Sequence, residues 1–227
     1  MIAPVRTLRK KDIEWLGTNY CRHGHTYLEH YDCFIAEAPD TAPFHEKIGY
    51  FDIEASNLNA NFGYMFSYAI ASSEDDHVLG RVLTPREIRS GVFDKKLLVE
   101  MCKDLRKFNR IVVHYGADGR FDLPFVRTRS IKYGIDFPLY KEIYCTDMWA
   151  ICRKKLKLSS NRLETVCRFF DIDAKSHPMN FDEWCSAMTG KQSSLDYIWK
   201  HNVEDAESLA QAYQKLVPYA LIAKTSI

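Results

Sequence analysis

The hydrophobic and polar positions divide the chain into an irregular head and a long periodic remainder. "IGYFDIEA" from Ile48, "FGYMFSYAIA" from Phe62 and "HVLGRVLT" from His77 are rich in β-branched and aromatic residues and are separated by polar turn signals. They predict consecutive strands in an antiparallel meander. "DKKLLVEMCKDLRKF" then sets Leu97, Leu98, Met101, Leu105 and Phe108 at helical spacing, and "RIVVHYG" follows as an apolar strand. Helical periodicity continues through "FDLPFVRTRSIKYG", "DMWAICRKKL", "RLETVCRFF", "FDEWCSAMTG" and "SLDYIWKHNVEDAESLAQAYQKL", with Gly134 and Gly190 as stops. The order βββαβα followed by further helices predicts an α/β domain, a mixed sheet flanked by helices. Ahead of it, residues 1–45 are rich in Cys, His and Tyr, and "EAPDTAPFHEK" carries two prolines and reads as a linker. The expected division is therefore a small N-terminal element, 1–45, and a main domain, 46–227.

Composition narrows the possibilities. With 227 residues, 46% of them hydrophobic and 13% aromatic, the chain can bury one sizeable core. Lys and Arg number 31 against 30 Asp and Glu, a formal charge of +1, so any basic surface for a polyanion has to be local. The seven cysteines are scattered, odd in number and not preceded by an evident secretory leader, which argues against a disulfide framework. A reducing, cytoplasmic setting is expected. No apolar run approaches the roughly 20 residues of a membrane span.

The chemistry begins in "GYFDIEAS". Side chains two apart on a strand share a face, so Asp52 and Glu54 project together from an otherwise apolar run. Adjacent carboxylates repel unless a cation lies between them, and Mg2+ or Mn2+ prefers such oxygen ligands. Two further acids qualify. Asp122, in "GRFDLPFVRTR", stands at a helix start, where capping and the helix dipole already suit a carboxylate. Asp205, in "HNVEDAESL", lies inside a long helix, where an exposed Asp is ordinary.

Taken in order, these segments resemble the motifs of the DEDD, or DnaQ-like, 3′-to-5′ exonucleases of the ribonuclease H-like superfamily, over roughly residues 46–217. "FDIEAS" is similar to the first motif, "GRFDLPFVRTR" to the second and "HNVEDAESL" to the third. "DMWAICRKKLKLSSNRLETVCRFFDI" is similar to the segment that links them. The resemblance implies a ribonuclease H-like fold and hydrolysis of single-stranded DNA or RNA from the 3′ end, releasing nucleoside 5′-monophosphates. It also implies two Mg2+ or Mn2+ ions held by Asp52, Glu54, Asp122 and Asp205. The family places a Tyr four residues, or a His five residues, before the last Asp; this chain has His201 four before Asp205. His201 shares a helical face with Asp205 and can accept a proton near neutral pH, so it is the expected base, with Tyr197 next and a helix-surface His the plain alternative.

By the same resemblance, the segment from Ala55 and Ser56 to Tyr64 lines the pocket for the terminal nucleotide. Phe62 and Tyr64 are available to stack on a base, although strand aromatics more often belong to a core. Arg127, Arg129 and Lys132, and the cluster Arg153, Lys154, Lys155 and Lys157, can meet phosphates or form a solvated helix face. Two other readings use the same residues: a structure-selective endonuclease, and a nucleic-acid-binding module on a decayed nuclease fold. The four retained carboxylates argue against the second.

The head carries a separate pattern. "CRHGHTYLEHYDC" brings Cys21, His23, His25, His30 and Cys33 within a short span, with Gly24 permitting a tight turn. Four such ligands make a tetrahedral zinc site. Cys21 and Cys33 with His30 and one of His23 or His25 are the expected set, and chance clustering of polar histidines is the plain alternative.

Overall fold

A computed structural model describes residues 10–37, 46–72, 74, 77–173, 176–220 and 225–227. The linker reading of "EAPDTAPFHEK" falls mostly on residues 38–45, outside the described residues. The chain forms two compact units, Met1–Glu46 and Lys47–Ile227.

The larger unit is built on a six-stranded mixed sheet flanked by helices. β1 (Ile48–Ala55), β2 (Met65–Ser72) and β3 (Leu79–Val82) form the antiparallel meander. β4 (Arg110–Val113) then pairs parallel to the other side of β1, β5 (Tyr144–Asp147) parallel to β4, and β6 (Thr225–Ser226) antiparallel to β5. The spatial order is β3-β2-β1-β4-β5-β6. β5 and β6 are absent from the sequence expectation, as is the short helix α3 (Pro85–Arg89), which Thr84 opens with a capping box closed by Glu87.

The pleat of β1 sorts its residues between two cores. Phe51 and Ile53 join Ile111 and Val113 of β4 in one cluster, which α4 (Lys95–Leu105) covers with Leu97, Leu98 and Met101, and α5 (Asp122–Tyr133) with Leu123 and Val126. Tyr50 and Val112 face the other cluster. There α6 (Met148–Lys155) contributes Met148 and Cys152, and α7 (Leu163–Phe169) contributes Val166 and Cys167. α9 (Gln192–Leu216) lies across β1 and β2 and adds Ala206, Leu209, Ala212 and Tyr213 to that second cluster. α8 (Phe181–Met188) packs beside α9.

On the face that α9 approaches, β2 presents only small side chains, Ser67, Ala69 and Ala71, all buried. This lets the helix come close to the sheet. Asp52 and Glu54 share the face of Tyr50 and therefore point toward α9. A register irregularity follows Glu54 and ends the regular pairing of β1 with β2.

The smaller unit contains α1 (Lys10–Thr18) and α2 (Tyr31–Glu37). Between them a turn is closed by an antiparallel bridge, Tyr20 with Thr26. Its apolar cluster holds Leu16, Tyr27, Phe34 and the two cysteines, Cys21 and Cys33, with Trp15 stacked on Tyr27 at 5.7 Å.

Candidate active site

The acidic residues gather at the carboxyl ends of the parallel strands, where open α/β sheets form their ligand crevices. Asp52 and Glu54 come from β1. Asp122 is the first residue of α5, after the turn that leaves β4. In that turn the backbone N–H of Leu123 donates to the Gly116 carbonyl at 2.8 Å, and a Cβ at Gly116 would lie 2.0 Å from Oδ2 of Asp122. Glycine at 116 is what lets the carboxylate sit there.

Asp205 and His201 lie one turn apart on the buried stripe of α9. Nε2 of His201 is 3.2 Å from a Glu54 oxygen and 3.3 Å from an Asp205 oxygen. Its Nδ1 faces the His177 carbonyl, which can only accept, so Nδ1 carries the hydrogen. Nε2 is then the ring nitrogen that faces the two carboxylates. His177 is fixed in turn: its backbone N–H and Nδ1–H donate to Glu204 at 3.0 and 2.7 Å. Burial works against the Glu204 carboxylate, yet these His177 hydrogen bonds hold it below its ordinary range. Trp184 meets the His201 ring edge to face at 5.8 Å, and its indole N–H donates to the Ala55 carbonyl.

Burial pushes the Asp122 carboxyl well above the usual carboxylate range, and the charges of Asp52, Glu54 and Asp147 push it the same way. Such crowding of buried negative charge fits a site for hard divalent cations. One ligand atom each from Glu54, His201 and Asp205 lies within 4.8 Å of the others, so these three residues can hold an ion together. The cluster opens into a cleft of about 690 Å³, whose far wall includes Cys167, Arg168, Ile172 and Met179.

Two residues that sequence reasoning passed over support the cluster. Asn202 is buried, donates to Asp52 Oδ2 at 2.7 Å, and accepts from the Ser67 hydroxyl at 2.9 Å. Asp147, the last residue of β5, caps α6 through the Trp149 N–H at 2.9 Å and receives the Tyr115 N–H at 3.0 Å. It is close enough to act on Asp122.

The expected substrate contacts are distributed differently. Ser56 pairs with Tyr64 through its backbone and its hydroxyl, closing the loop after β1. Phe62, for which a core position was the commoner expectation, stands in that loop and is 80% exposed, while Tyr64 stacks on Phe93 at 4.6 Å. Arg129 departs from its expected role. It is buried, its Nε donates to Asp94 at 2.9 Å, and its Nη1 donates to the Ala60 carbonyl at 3.1 Å. Asp94 also receives the Met65 N–H, so Arg129 braces the loop instead of reaching outward. Arg127 is partly exposed and pairs with Asp118 at 2.8 Å. Tyr197 gives its hydroxyl to the Pro178 carbonyl at 2.6 Å and stays outside the carboxylate group. Arg153 lies against the Trp149 ring, and Lys154 and Lys155 are exposed.

In the smaller unit, Cys21, His23, His30 and Cys33 form a second group able to hold a metal ion, whereas His25 packs edge to face on the His30 ring.

Fold and site together define an α/β protein with a mixed sheet and an acidic cluster that could hold a cation. A family model described as the RNase_H superfamily matches residues 49–217, and the chain belongs to that superfamily. No curated protein matches the chain. Among the described residues, no helix is long and apolar enough to cross a membrane.

Proposed function

We propose that the chain is a metal-dependent 3′-to-5′ exonuclease of the DEDD type, acting on single-stranded nucleic acid and releasing nucleoside 5′-monophosphates. The observation that supports this reading is the meeting of acids from three separate elements: Glu54 of β1 and Asp205 of α9 flank the buried His201, and Asp122 of α5 lies close enough to Asp52 and Glu54 to feel their charge. Asp52, Glu54, Asp122 and Asp205 would hold two Mg2+ or Mn2+ ions, which would supply charge neutralisation and Lewis-acid activation for the hydrolysis. In this reading His201 is not an ion ligand: its Nε2 takes the water's proton, since its Nδ1–H is committed to His177. Asn202 holds Asp52 in place, and Asp147 adds to the negative field. The cleft beside Glu54 and Asp205 receives the terminal nucleotide. By the family resemblance Ala55 and Ser56 contact that nucleotide, and the exposed Phe62 ring and the partly exposed Arg127 are available to the rest of the strand.

The test uses labelled DNA and RNA oligomers with free or blocked 3′ ends, incubated with Mg2+ or Mn2+. Stepwise shortening from a free 3′ end only, absent from a folded Asp52→Asn variant, is the expected result. Internal cleavage of blocked oligomers would replace the exonuclease reading with the endonuclease one. Hydrolysis by Asp52→Asn at the unsubstituted rate would end the two-metal reading.

A further inference from the structure

The Cys/His motif of the head is not used in the proposed hydrolysis. Sγ of Cys21 lies 3.9 Å from Nδ1 of His23 and 3.7 Å from Nδ1 of His30. Sγ of Cys33 lies 3.1 Å from Nδ1 of His23 and 3.4 Å from Nδ1 of His30. Each imidazole nitrogen thus faces both sulfurs. Two thiol protons can satisfy only two of these four contacts, whereas one cation at the centre satisfies them all.

The distances suit a particular ion. Zinc bonds of about 2.3 Å to sulfur and 2.0–2.1 Å to nitrogen, set at tetrahedral angles, place sulfur and nitrogen ligand atoms about 3.6 Å apart. The observed separations bracket that value. A set of two thiolates and two imidazoles at tetrahedral spacing favours zinc over Mg2+, Ca2+ or Mn2+, which seek oxygen. Two thiolates also cancel the charge of a divalent ion, so the neutral centre can sit against the buried sulfurs at little desolvation cost.

The backbone shapes the ligand positions. Gly24, at a φ of 79°, turns the chain so that its N–H reaches the Cys21 carbonyl at 2.9 Å. A residue with a Cβ is strained in that conformation. The Cys21 N–H donates to the His25 carbonyl at 2.9 Å, closing the turn that carries Cys21 and His23, and the His25 ring packs on His30 outside the group of four. His30 precedes α2 and Cys33 lies in its first turn, with the Cys33 N–H donating to the His30 carbonyl at 3.0 Å. Among the described residues, the buried cluster beside them is Leu16, Tyr27 and Phe34 with the two cysteines, and Trp15 and Tyr31 pack against it. Small units of this kind commonly rely on a staple.

We propose that Cys21, His23, His30 and Cys33 bind one structural Zn2+ in a closed tetrahedral site, both histidines through Nδ1, with His25 outside the ligand set. Four protein ligands leave no position for water or substrate, so the ion organises the head and performs no hydrolysis.

Elemental analysis of the full chain purified without chelators is the test. Zinc near one per chain is expected in the unsubstituted protein and in His25→Ala, and near zero in Cys33→Ser and His23→Ala. Cobalt exchange gives a second readout that does not require the variants to fold. A Cys2His2 site shows thiolate-to-cobalt charge-transfer absorption, which the carboxylate cluster cannot produce. The proposal is overturned by a folded unsubstituted chain with zinc near zero, by zinc retained in Cys33→Ser or lost in His25→Ala, by cobalt protein lacking thiolate bands, or by a Cys21–Cys33 disulfide found by mass.

Discussion

The side-chain amide of Asn202 donates to Oδ2 of Asp52 at 2.7 Å, tying α9 to β1 inside the acidic cluster. The same amide accepts from Ser67, so its orientation is set from both ends. An outer partner that aims a metal-binding carboxylate typically matters by roughly 10- to 100-fold. Asn202→Ala should therefore lower turnover by about that factor and raise the Mg2+ concentration needed for half-maximal rate. An unchanged Mg2+ titration would reduce Asn202 to a packing residue.

For His201, the expectation is a loss of roughly 10²- to 10⁴-fold in turnover on replacement by Ala, with little change in affinity for the strand. Tyr197→Phe is the companion measurement. Because the Tyr197 hydroxyl is engaged by Pro178, that variant should keep near-normal rates. If Tyr197→Phe were the crippled one, the assignment of the base would reverse.

Asp122 links metal binding to stability. Its folded-state pKa is raised, so its contribution to stability is fully present below the ordinary value of 3.8 and is lost as the pH rises through the folded value. At neutral pH and without metal, the ionised group is a burden. In chelator, Asp122→Asn should melt above the unsubstituted chain, by about 2–4 °C for each kcal/mol relieved in a unit of this size. Mn2+ should reverse the order, since ligand at a hundred times its Kd adds about 2.7 kcal/mol to the protein that binds it. Melting temperatures that ignore Mn2+ in both proteins would remove the cation from this site.

Arg129 and Asp94 form a buried pair, and breaking such a pair from one side usually costs about 3–5 kcal/mol. Arg129→Met should accordingly lower the melting temperature by something on the order of 10 °C. At temperatures where the variant is folded, affinity for nucleic acid should change little. A normal melt with weakened binding would restore the outward, phosphate-contacting role.

Much of this was legible from periodicity alone. The meander, β4 and the helices from α4 to α9 have runs long or regular enough to show their period, and the spacing of Asp52 with Glu54 needs only the pleat of a strand. β5 is hidden because "YCTD" lacks the continuous aliphatic run that marks "RIVV" of β4, and β6 has only two residues. α3 did have a signal in Thr84-Pro85-Arg86-Glu87, a capping box with proline at the first helical position. Phe62 was grouped with the strand because aromatics favour strands, but the Ser56–Tyr64 pairing delays β2 until Met65 and leaves the ring in the loop. Asp147 reads locally as a helix cap, which it is. Its nearness to Asp122 comes from the parallel pairing of β4 and β5, which no local pattern shows. Asn202 resembles any polar residue within a helix. Four of five Cys/His candidates converge while His25 packs on the His30 ring, a distinction beyond the reach of spacing.

The small side chains of Ser67, Ala69 and Ala71 let α9 settle against β1 and β2, and α9 carries Asp205, His201 and Asn202 together. The bond between Asn202 and Asp52 spans 150 positions of sequence. Contacts of that separation form only once the intervening chain is in place. A ribosome-bound chain that has not yet released α9 therefore holds the acids of β1 and α5 but lacks Asp205, His201 and Asn202. The catalytic centre is thus among the last parts of the molecule to exist, and a chain cut short before α9 would be left without it.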